Sequence, residues 1–360
     1  MVPSKVVLKS AGNVSGNKLT VDFINCWQGN SVLITYPNGA YMLVDCGSQT
    51  TSQTSWPYTH VASYIASVVG TNSIDCVVMS HGDDDHTAFI PHIPQAAAPT
   101  YLHYGGSIGD YDTDVQTYIK GRERAKAMVF RYPAKGYSNT DADADFASET
   151  TAGEAWVIVL SANFGKSPNS RSIVLLIRYG DHAVVLPGDA SSDTEDHIIA
   201  KVPKKMLTNA TVLMPGHHGA YESTSDAWVK ALKPGISVIS ASGANMAYAH
   251  PACMTNEILK VPAATGEDHT ITCSDGKGKK YKKSDTTKAV LVTATQGDVR
   301  FVSDGKNFRL LASSLKTTLA APPPAPQLAG LVRNATWNRP LAPPTEPEPV
   351  EVPGLEFMLT

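Results

Sequence analysis

The segment Ser80-His81-Gly82-Asp83-Asp84-Asp85-His86-Thr87 is where this chain concentrates potential chemistry. Five of the six positions from His81 to His86 carry an imidazole or a carboxylate. Neutral imidazole nitrogens and hard carboxylate oxygens together suit Zn²⁺, Mn²⁺ or Fe²⁺. The bland alternative is an acidic surface turn with incidental histidines. Three other places weigh against it. Asp189 follows the apolar run 182–187 in Leu186-Pro187-Gly188-Asp189. His217 and His218 are adjacent in Met214-Pro215-Gly216-His217-His218-Gly219. His250 precedes Pro251, past the apolar run 236–241. Singly, Asp189 reads as a turn or capping residue, the histidine pair as a weak signal, and His250 as structural. Their recurrence is what counts: each time, an apolar strand ends and a His or Asp follows. In layered α/β architectures strand ends converge on one edge, where sites form.

The elements that must position these residues can be read from periodicity. Short strands are expected at 19–25, 31–36 and 40–45, with Asn38-Gly39 as a hairpin signal between the last two. A helix is expected at 58–69, then a buried strand at 75–79 that stops where His81 begins. A helix at 112–128 and a Gly, Ala, Ser and Asp-rich loop at 135–153 follow. Strands resume at 155–161, 172–178 and 182–187, then a helix at 192–201 capped by Ser191 or Ser192. A strand-to-loop passage at 211–218, a helix at 225–232 and a strand at 236–241 lead to closing strands at 288–294, 298–303 and 307–311. Two strand-rich halves with helices between them imply two sheets face to face with helices outside, a four-layered α/β/β/α sandwich.

Composition sets the bounds. The chain has 360 residues, 42% of them hydrophobic and 18% charged, enough for one large domain with a sizeable core. The domain is expected over 1–319. Ten of the 24 prolines lie between Pro322 and Pro353, so 320–360 reads as a proline-rich extended tail. A net charge of −3 excludes a globally basic surface, although a groove could be basic locally. The one dense cationic cluster, Lys277 to Lys283, reads as a solvated loop between strands. Five cysteines, an odd number without a CxxC spacing, favour reduced thiols; Cys26, Cys46 and Cys76 sit in apolar runs as small hydrophobes. With no apolar leader and no long apolar run in the sequence, a cytoplasmic chain without a membrane span is expected.

The order HxDxDH, GD, HHG and HP resembles the metallo-β-lactamase superfamily, and within it the soluble nuclease-like domain of ComEC-type competence proteins and the bacterial phosphorylcholine esterases. The likeness extends to Val21–Ser31 (VDFINCWQGNS), to Tyr41–Gly47 (YMLVDCG) and to Asn169–Leu175 (NSRSIVL). It covers roughly 19–305. It implies the αββα metallo-β-lactamase sandwich and two divalent ions, Zn or Mn above all, with Fe also compatible. His81 and Asp83 would bind the first ion, Asp85 and His86 the second. Asp189 would bridge both, and His250 would complete the second site. The sequence departs from the pattern where a His is common and Asp83 stands, and in lacking a His before the GD motif. His218 is assigned to the vacant place on the first ion, and His217 to the substrate or leaving group, with the reverse order left open. Asp45 is expected to orient a ligand histidine, and Asp84 to face away. His92, His103 and His182 fall outside the motifs.

The chemistry implied is hydrolysis by water activated between two ions. Asp85 would hold or accept its proton, and His217 would assist the leaving group. Asn169 and Ser172 would hydrogen-bond the substrate, although capping and backbone bonding suit them equally. A phosphodiester is the leading substrate class, with single-stranded DNA or RNA as partners. A carbonyl hydrolase (lactonase, thioesterase or β-lactamase) is the second reading. A non-catalytic metal-stabilised binding module is the third.

Overall fold

The computed structural model describes residues 6–8, 18–132, 146–148, 155–243, 248, 250–260, 269–275, 280–286 and 289–313. The proline-rich tail expected at 320–360 lies outside them. Among the described residues there are two eight-stranded sheets and a separate two-stranded hairpin. In sheet order the first runs Phe308–Ala312, Val299–Ser303, Leu19–Phe23, Ser31–Thr35, Tyr41–Cys46, Cys76–Met79, Tyr101–Tyr104, Met128–Arg131. The second runs Val6–Leu8, Phe146–Ser148, Ala155–Ser161, Val174–Tyr179, His182–Leu186, Val212–Leu213, Ile236–Ile239, Val290–Val292.

Side-chain alternation explains the layering. Along Ser31–Thr35, Val32 and Ile34 enter a core between the sheets, while Leu33 enters an outer one. Along Val174–Tyr179, Leu175 and Ile177 enter the central core, while Val174 and Leu176 enter the other outer one. A strand buried on both faces reads as a continuous apolar run. Helices Trp56–Val69 and Thr113–Arg124 cover the first sheet through Val61, Ile65, Val115 and Ile119. Helices Ser192–Lys201 and Asp226–Leu232 cover the second through Ile198, Trp228 and Leu232. Three cores between four layers make the αββα sandwich.

Local signals held at several termini. Ser55 caps the first long helix, Ser191 stands at the N-cap of Ser192–Lys201, and Ser225 caps Asp226–Leu232. Between Thr35 and Tyr41, Gly39 donates its N–H to the Tyr36 carbonyl, closing the expected hairpin. Other expectations need correction. The helix placed at 112–128 stops at Arg124; Lys126 adopts φ 59° and the chain re-enters the sheet as Met128–Arg131. Within the loop placed at 135–153, Phe146–Ser148 forms a strand against Val6–Leu8, a pairing too remote for a local signal. The basic cluster is not simply a loop: Tyr281–Thr286 pairs antiparallel with His269–Ser274, with Lys282 and Lys283 exposed on it. The cysteines are not all free, because Cys253 is bonded to Cys273. Only Cys26, Cys46 and Cys76 remain as buried thiols. No helix among the described residues is long and apolar enough to cross a membrane.

The strand at Val299–Ser303 pairs with Leu19–Phe23, and this brings Arg300 onto Asp22. The Arg300 Nε lies 2.5 Å from Asp22 Oδ1, and the Tyr64 hydroxyl donates to the same oxygen at 2.9 Å. Asp22 is fully buried. Burial raises its pKa despite the opposing pull of Arg300. Arg300→Met should therefore destabilise the fold by about 3–5 kcal/mol at neutral pH, the usual cost of orphaning one buried charge. With its partner gone, the carboxyl pKa rises further above the unfolded value. The loss should then shrink as pH falls toward about 4, where the carboxyl is protonated in the unfolded chain as well. Chemical denaturation at pH 7 and pH 4 checks this; equal stability of variant and wild type at pH 7 would refute it.

Candidate metal centre

The strand Cys76–Met79 ends at Ser80, and Asp83 then opens the short turn Asp84–Thr87 in an extended conformation, φ −69°, ψ 144°. The turn is held by close backbone contacts. A Cβ on Gly47 would come within 2.4 Å of the Asp84 carbonyl, so only glycine fits there. Asn30 donates its N–H to the Asp85 carbonyl at 2.9 Å. The glycine-bearing segments around residues 29 and 47 thus form the bed on which the acidic turn rests.

Asp45 is the anchor beneath it. It accepts from Ser80 N at 2.7 Å, Ser80 Oγ at 2.8 Å and Asn30 Nδ2 at 3.0 Å. It also meets His86 Nδ1 at 2.8 Å, which turns His86 Nε2 toward Asp189 Oδ1, 2.9 Å away. This is the orienting role expected of Asp45. His81 Nε2 faces Asp83 Oδ2 at 3.5 Å and Asp189 Oδ2 at 3.8 Å. Asp189 follows Leu186 at the end of the next sheet's strand, and its N–H is taken by Ser172 Oγ at 3.0 Å.

The histidine pair sits in a strained turn. His217, His218 and Gly219 all have left-handed backbones, φ 48°, 54° and 77°. For the two histidines this conformation costs on the order of 1–3 kcal/mol each. The turn is held by His217 N donating to the Gly188 carbonyl at 3.0 Å and Ala252 N donating to the Gly219 carbonyl at 2.8 Å. The outcome is that the two rings diverge. His217 Nε2 lies 3.6 Å from Asp189 Oδ2, the oxygen that His81 faces. His218 Nε2 lies 3.3 Å from Asp85 Oδ2 and 3.3 Å from His86 Nε2, and its Nδ1 donates to the Ser240 carbonyl at 2.9 Å.

Two groups therefore present ligand atoms within 4.8 Å of one another: His81, His86 and Asp189, and Asp85, His86 and His218. Buried His81 Nε2 has no hydrogen-bond partner. Its two carboxylate neighbours stand beyond hydrogen-bond reach, the spacing of donors set around a cation. A donor set of imidazoles and carboxylates fits a borderline divalent ion.

Four sequence expectations meet the geometry here. His218, assigned to the first ion with the reverse order left open, groups with Asp85 and His86. His217, assigned to the substrate or leaving group with a ligand role left open, shares the Asp189 oxygen faced by His81. Ser172, expected on the substrate, is fully buried and spends its hydroxyl on Asp189 N, with His81 Nδ1 at 3.4 Å. Asp84, expected to face away, lines the cavity beside the centre. Asn169 is where a substrate contact could be, its Nδ2 3.3 Å from His217 Nε2. His250 stands one ring further out, 4.9 Å between centroids from His217 and 6.0 Å from His218, with its buried Nδ1 unpartnered. His103 and His182 are buried away from the centre, stacking on Phe130 and meeting Ser303 respectively.

Electrostatics follow from this crowding. Burial opposes charge on His86, but Asp189 and Asp45 outweigh it and hold its pKa well above the ordinary value. Burial likewise opposes charge on His217, and Asp189 and Glu222 overcome it. For Asp85, burial is outweighed by the His218 contact, and its pKa falls to about 2. Burial and the neighbouring imidazoles push His250 down to about 4, leaving it a neutral base at pH 7.

One residue escaped sequence reasoning. Glu222 Oε1 lies 3.0 Å from His217 Nδ1, fixing the ring so that Nε2 points inward. The only signal was a carboxylate five residues beyond a histidine in a loop, which is not specific. Glu222→Gln should weaken metal binding about 10–100-fold, the usual effect of losing a carboxylate behind a ligand histidine. Chelator competition measures it, and unchanged affinity would remove Glu222 from this role.

The cavity at the centre's mouth has a volume of about 720 Å³ and is lined by Gln49, Asp83, Asp85, Asp112, Tyr111 and Tyr248, among others. Among the described residues, the lining includes five aspartates and no Lys or Arg.

A family model described as the metallo-beta-lactamase superfamily matches residues 24–243. ComE operon protein 3 of Bacillus subtilis (strain 168) is 26% identical over 242 residues, 64% of this chain and 29% of that protein. Competence protein ComA of Neisseria gonorrhoeae is 27% identical over 241 residues, 66% of this chain and 29% of that protein. The matched region thus spans under a third of either relative. Among solved structures, the metallo-beta-lactamase fold protein YhfI from Bacillus subtilis aligns with a TM-score of 0.36 at 17% identity, covering 62% of this chain and 85% of that one. CmlA, a diiron beta-hydroxylase from Streptomyces venezuelae, aligns with a TM-score of 0.37 at 15% identity, covering 70% and 51%.

Proposed function

Since the chain belongs to the metallo-β-lactamase superfamily, we propose that it is a dinuclear metal-dependent hydrolase acting on phosphodiesters, with single-stranded DNA or RNA as the leading substrates. The observation that carries this reading is a pair of His and carboxylate groups that share His86, with Asp189 3.8 Å from both His81 and His218. His81, Asp83, His217 and one Asp189 oxygen would hold the first ion. Asp85, His86, His218 and the other oxygen would hold the second, with His250 as an additional base beside both. Two bound divalent ions supply Lewis acidity and lower the pKa of water toward neutrality.

The chain's own residues do the rest. Asp45 and Glu222 fix the His86 and His217 rings through their Nδ1 atoms, so both Nε2 atoms converge on Asp189. Asn169, whose Nδ2 lies 3.3 Å from His217 Nε2, would hydrogen-bond an oxygen of the substrate. Asp85 would accept a proton from water, the His218 contact keeping it ionised at neutral pH. The resemblance to the nuclease-like domain of competence proteins favours nucleic acid. Zn and Mn suit the donor set best, and Fe fits it as well.

The carbonyl-hydrolase reading has one observation in its favour. The cavity wall is acidic, and its clustered carboxylates would repel a polyanion entering there. The deciding experiment is metal-loaded turnover of bis(p-nitrophenyl) phosphate and single-stranded DNA, against lactone and thioester panels. Cleavage of either phosphodiester supports the proposal. Two bound ions with no phosphodiester cleavage but ester or lactone turnover would replace it with the carbonyl reading. Bound metal with no turnover on any panel would leave the binding module.

A further inference from the structure

The hairpin His269–Ser274 with Tyr281–Thr286 belongs to neither sheet. Its contacts converge on the segment that carries His250. Ser274 N donates to the Pro251 carbonyl at 2.8 Å, and Ala252 forms a parallel bridge with Ser274. The Tyr281 hydroxyl donates to the Tyr248 carbonyl. Behind them Cys253, at the first turn of helix Cys253–Leu259, is bonded to Cys273 of the hairpin. The same helix reaches the histidine pair: Ala252 N donates to the Gly219 carbonyl at 2.8 Å, and Thr255 Oγ1 donates to the Ala220 carbonyl at 3.1 Å. Farther along, Asn256 Nδ2 donates to Ser284 Oγ and to the Asp285 carbonyl, both at 3.1 Å.

We propose that the Cys253–Cys273 disulfide is a positioning element of the metal centre, a covalent clamp that fixes His250 and the His217-His218 turn and makes metal retention sensitive to thiol reductants. The inference rests on the dinuclear reading above. His250 has weak constraints of its own. Its buried Nδ1 has no hydrogen-bond partner to orient the ring, unlike His86 on Asp45 or His217 on Glu222. Its placement must come from the backbone, and the backbone is tied down three residues later by the disulfide. The left-handed histidine turn stores strain. It is held through the same Ala252 contact, so a looser helix start frees both at once. Sulfur chemistry supplies the switch: an external dithiol passes two electrons to the S–S bond, giving two cysteine thiols and an oxidised dithiol. Both sulfurs lie in buried residues, with Cys273 fully enclosed, so reduction should be slow in the native state.

The test compares the full chain, oxidised and after reduction by dithiothreitol with the reductant removed, alongside Cys253→Ser/Cys273→Ser. Zinc content and the rate of zinc transfer to a chromogenic chelator are read, together with the visible absorption bands of the Co²⁺-substituted protein. The clamp predicts that reduction and the double variant each speed release of at least one ion by about tenfold or more, the scale of losing support behind a ligand. It also predicts altered Co²⁺ bands and recovery on reoxidation of wild type, but not of the variant. Equal release rates and identical Co²⁺ spectra with thermal stability maintained would overturn it. If the variant unfolds, the reduced wild type with a native circular dichroism spectrum decides the matter. If the oxidised protein binds no zinc at all, the dinuclear reading has failed rather than the clamp.

Discussion

Asp189→Ala should bring phosphodiester turnover to background, a loss of about a thousandfold or more, and should strip at least one of the two ions. Two effects combine. Removing one preorganised electrostatic contact at a reacting centre costs about 10²–10³-fold by itself. Here the same side chain also stands among the imidazoles of both sets: one oxygen lies 2.9 Å from His86 and 3.8 Å from His218, the other 3.8 Å from His81 and 3.6 Å from His217. Alanine leaves these imidazoles facing one another without the carboxylate that balances them. The fold itself should survive, because the residue's N–H remains bonded to Ser172 and its strand is unchanged. Metal analysis alongside turnover checks this. Two retained ions and full activity would remove Asp189 from the bridge.

The second large effect separates the adjacent histidines. His218→Ala should lose the ion served by Asp85 and His86, since its Nε2 lies 3.3 Å from both. His217→Ala should lose the ion served by His81 and Asp83, because it shares the Asp189 oxygen that His81 faces. Each variant should then retain about one equivalent of metal, with turnover down about 10²–10³-fold. The sequence analysis put His217 on the substrate or leaving group and His218 on the first ion, with the reverse order left open. A His217→Ala protein that keeps two ions but turns over slowly would restore that expectation for His217.

Much of this arrangement was legible before any coordinates. Strands buried on both faces announce themselves as apolar runs, and the ends of 75–79 and 182–187 pointed to the right loops. The Asn38-Gly39 turn and the serine caps are local signals, and local signals survive folding. What could not be read depends on contacts between distant residues or on backbone hand. The pairing of Val6–Leu8 with Phe146–Ser148 and the bond between Cys253 and Cys273 join segments with no shared motif. The divergence of the His217 and His218 rings turns on φ values of 48° and 54°, a backbone conformation uncommon outside glycine that no spacing rule anticipates. Glu222 was missed because a lone glutamate in a loop carries no pattern.

The pairing of Val299–Ser303 with Leu19–Phe23 has a consequence for biosynthesis. Asp298, just before that late strand, accepts the Asn25 N–H at 2.8 Å and meets His60 Nε2 at 2.9 Å. Asn25 opens the loop whose later residue Asn30 supports Asp85. The support beneath the acidic turn is thus completed by residues made more than 200 positions after it. A chain leaving the ribosome N-terminus first displays His81 to His86 long before Asp298 and Arg300 exist to close the sheet beneath them. During that interval Leu19–Phe23 is an unpaired edge and Asp22 a carboxylate without its cation, a state prone to aggregation and to misplaced ions. Closure of the sheet beneath the acidic turn therefore waits until residues 298–303 have been made, and a nascent chain stalled before residue 298 should bind chaperones more than the chain extended past residue 313.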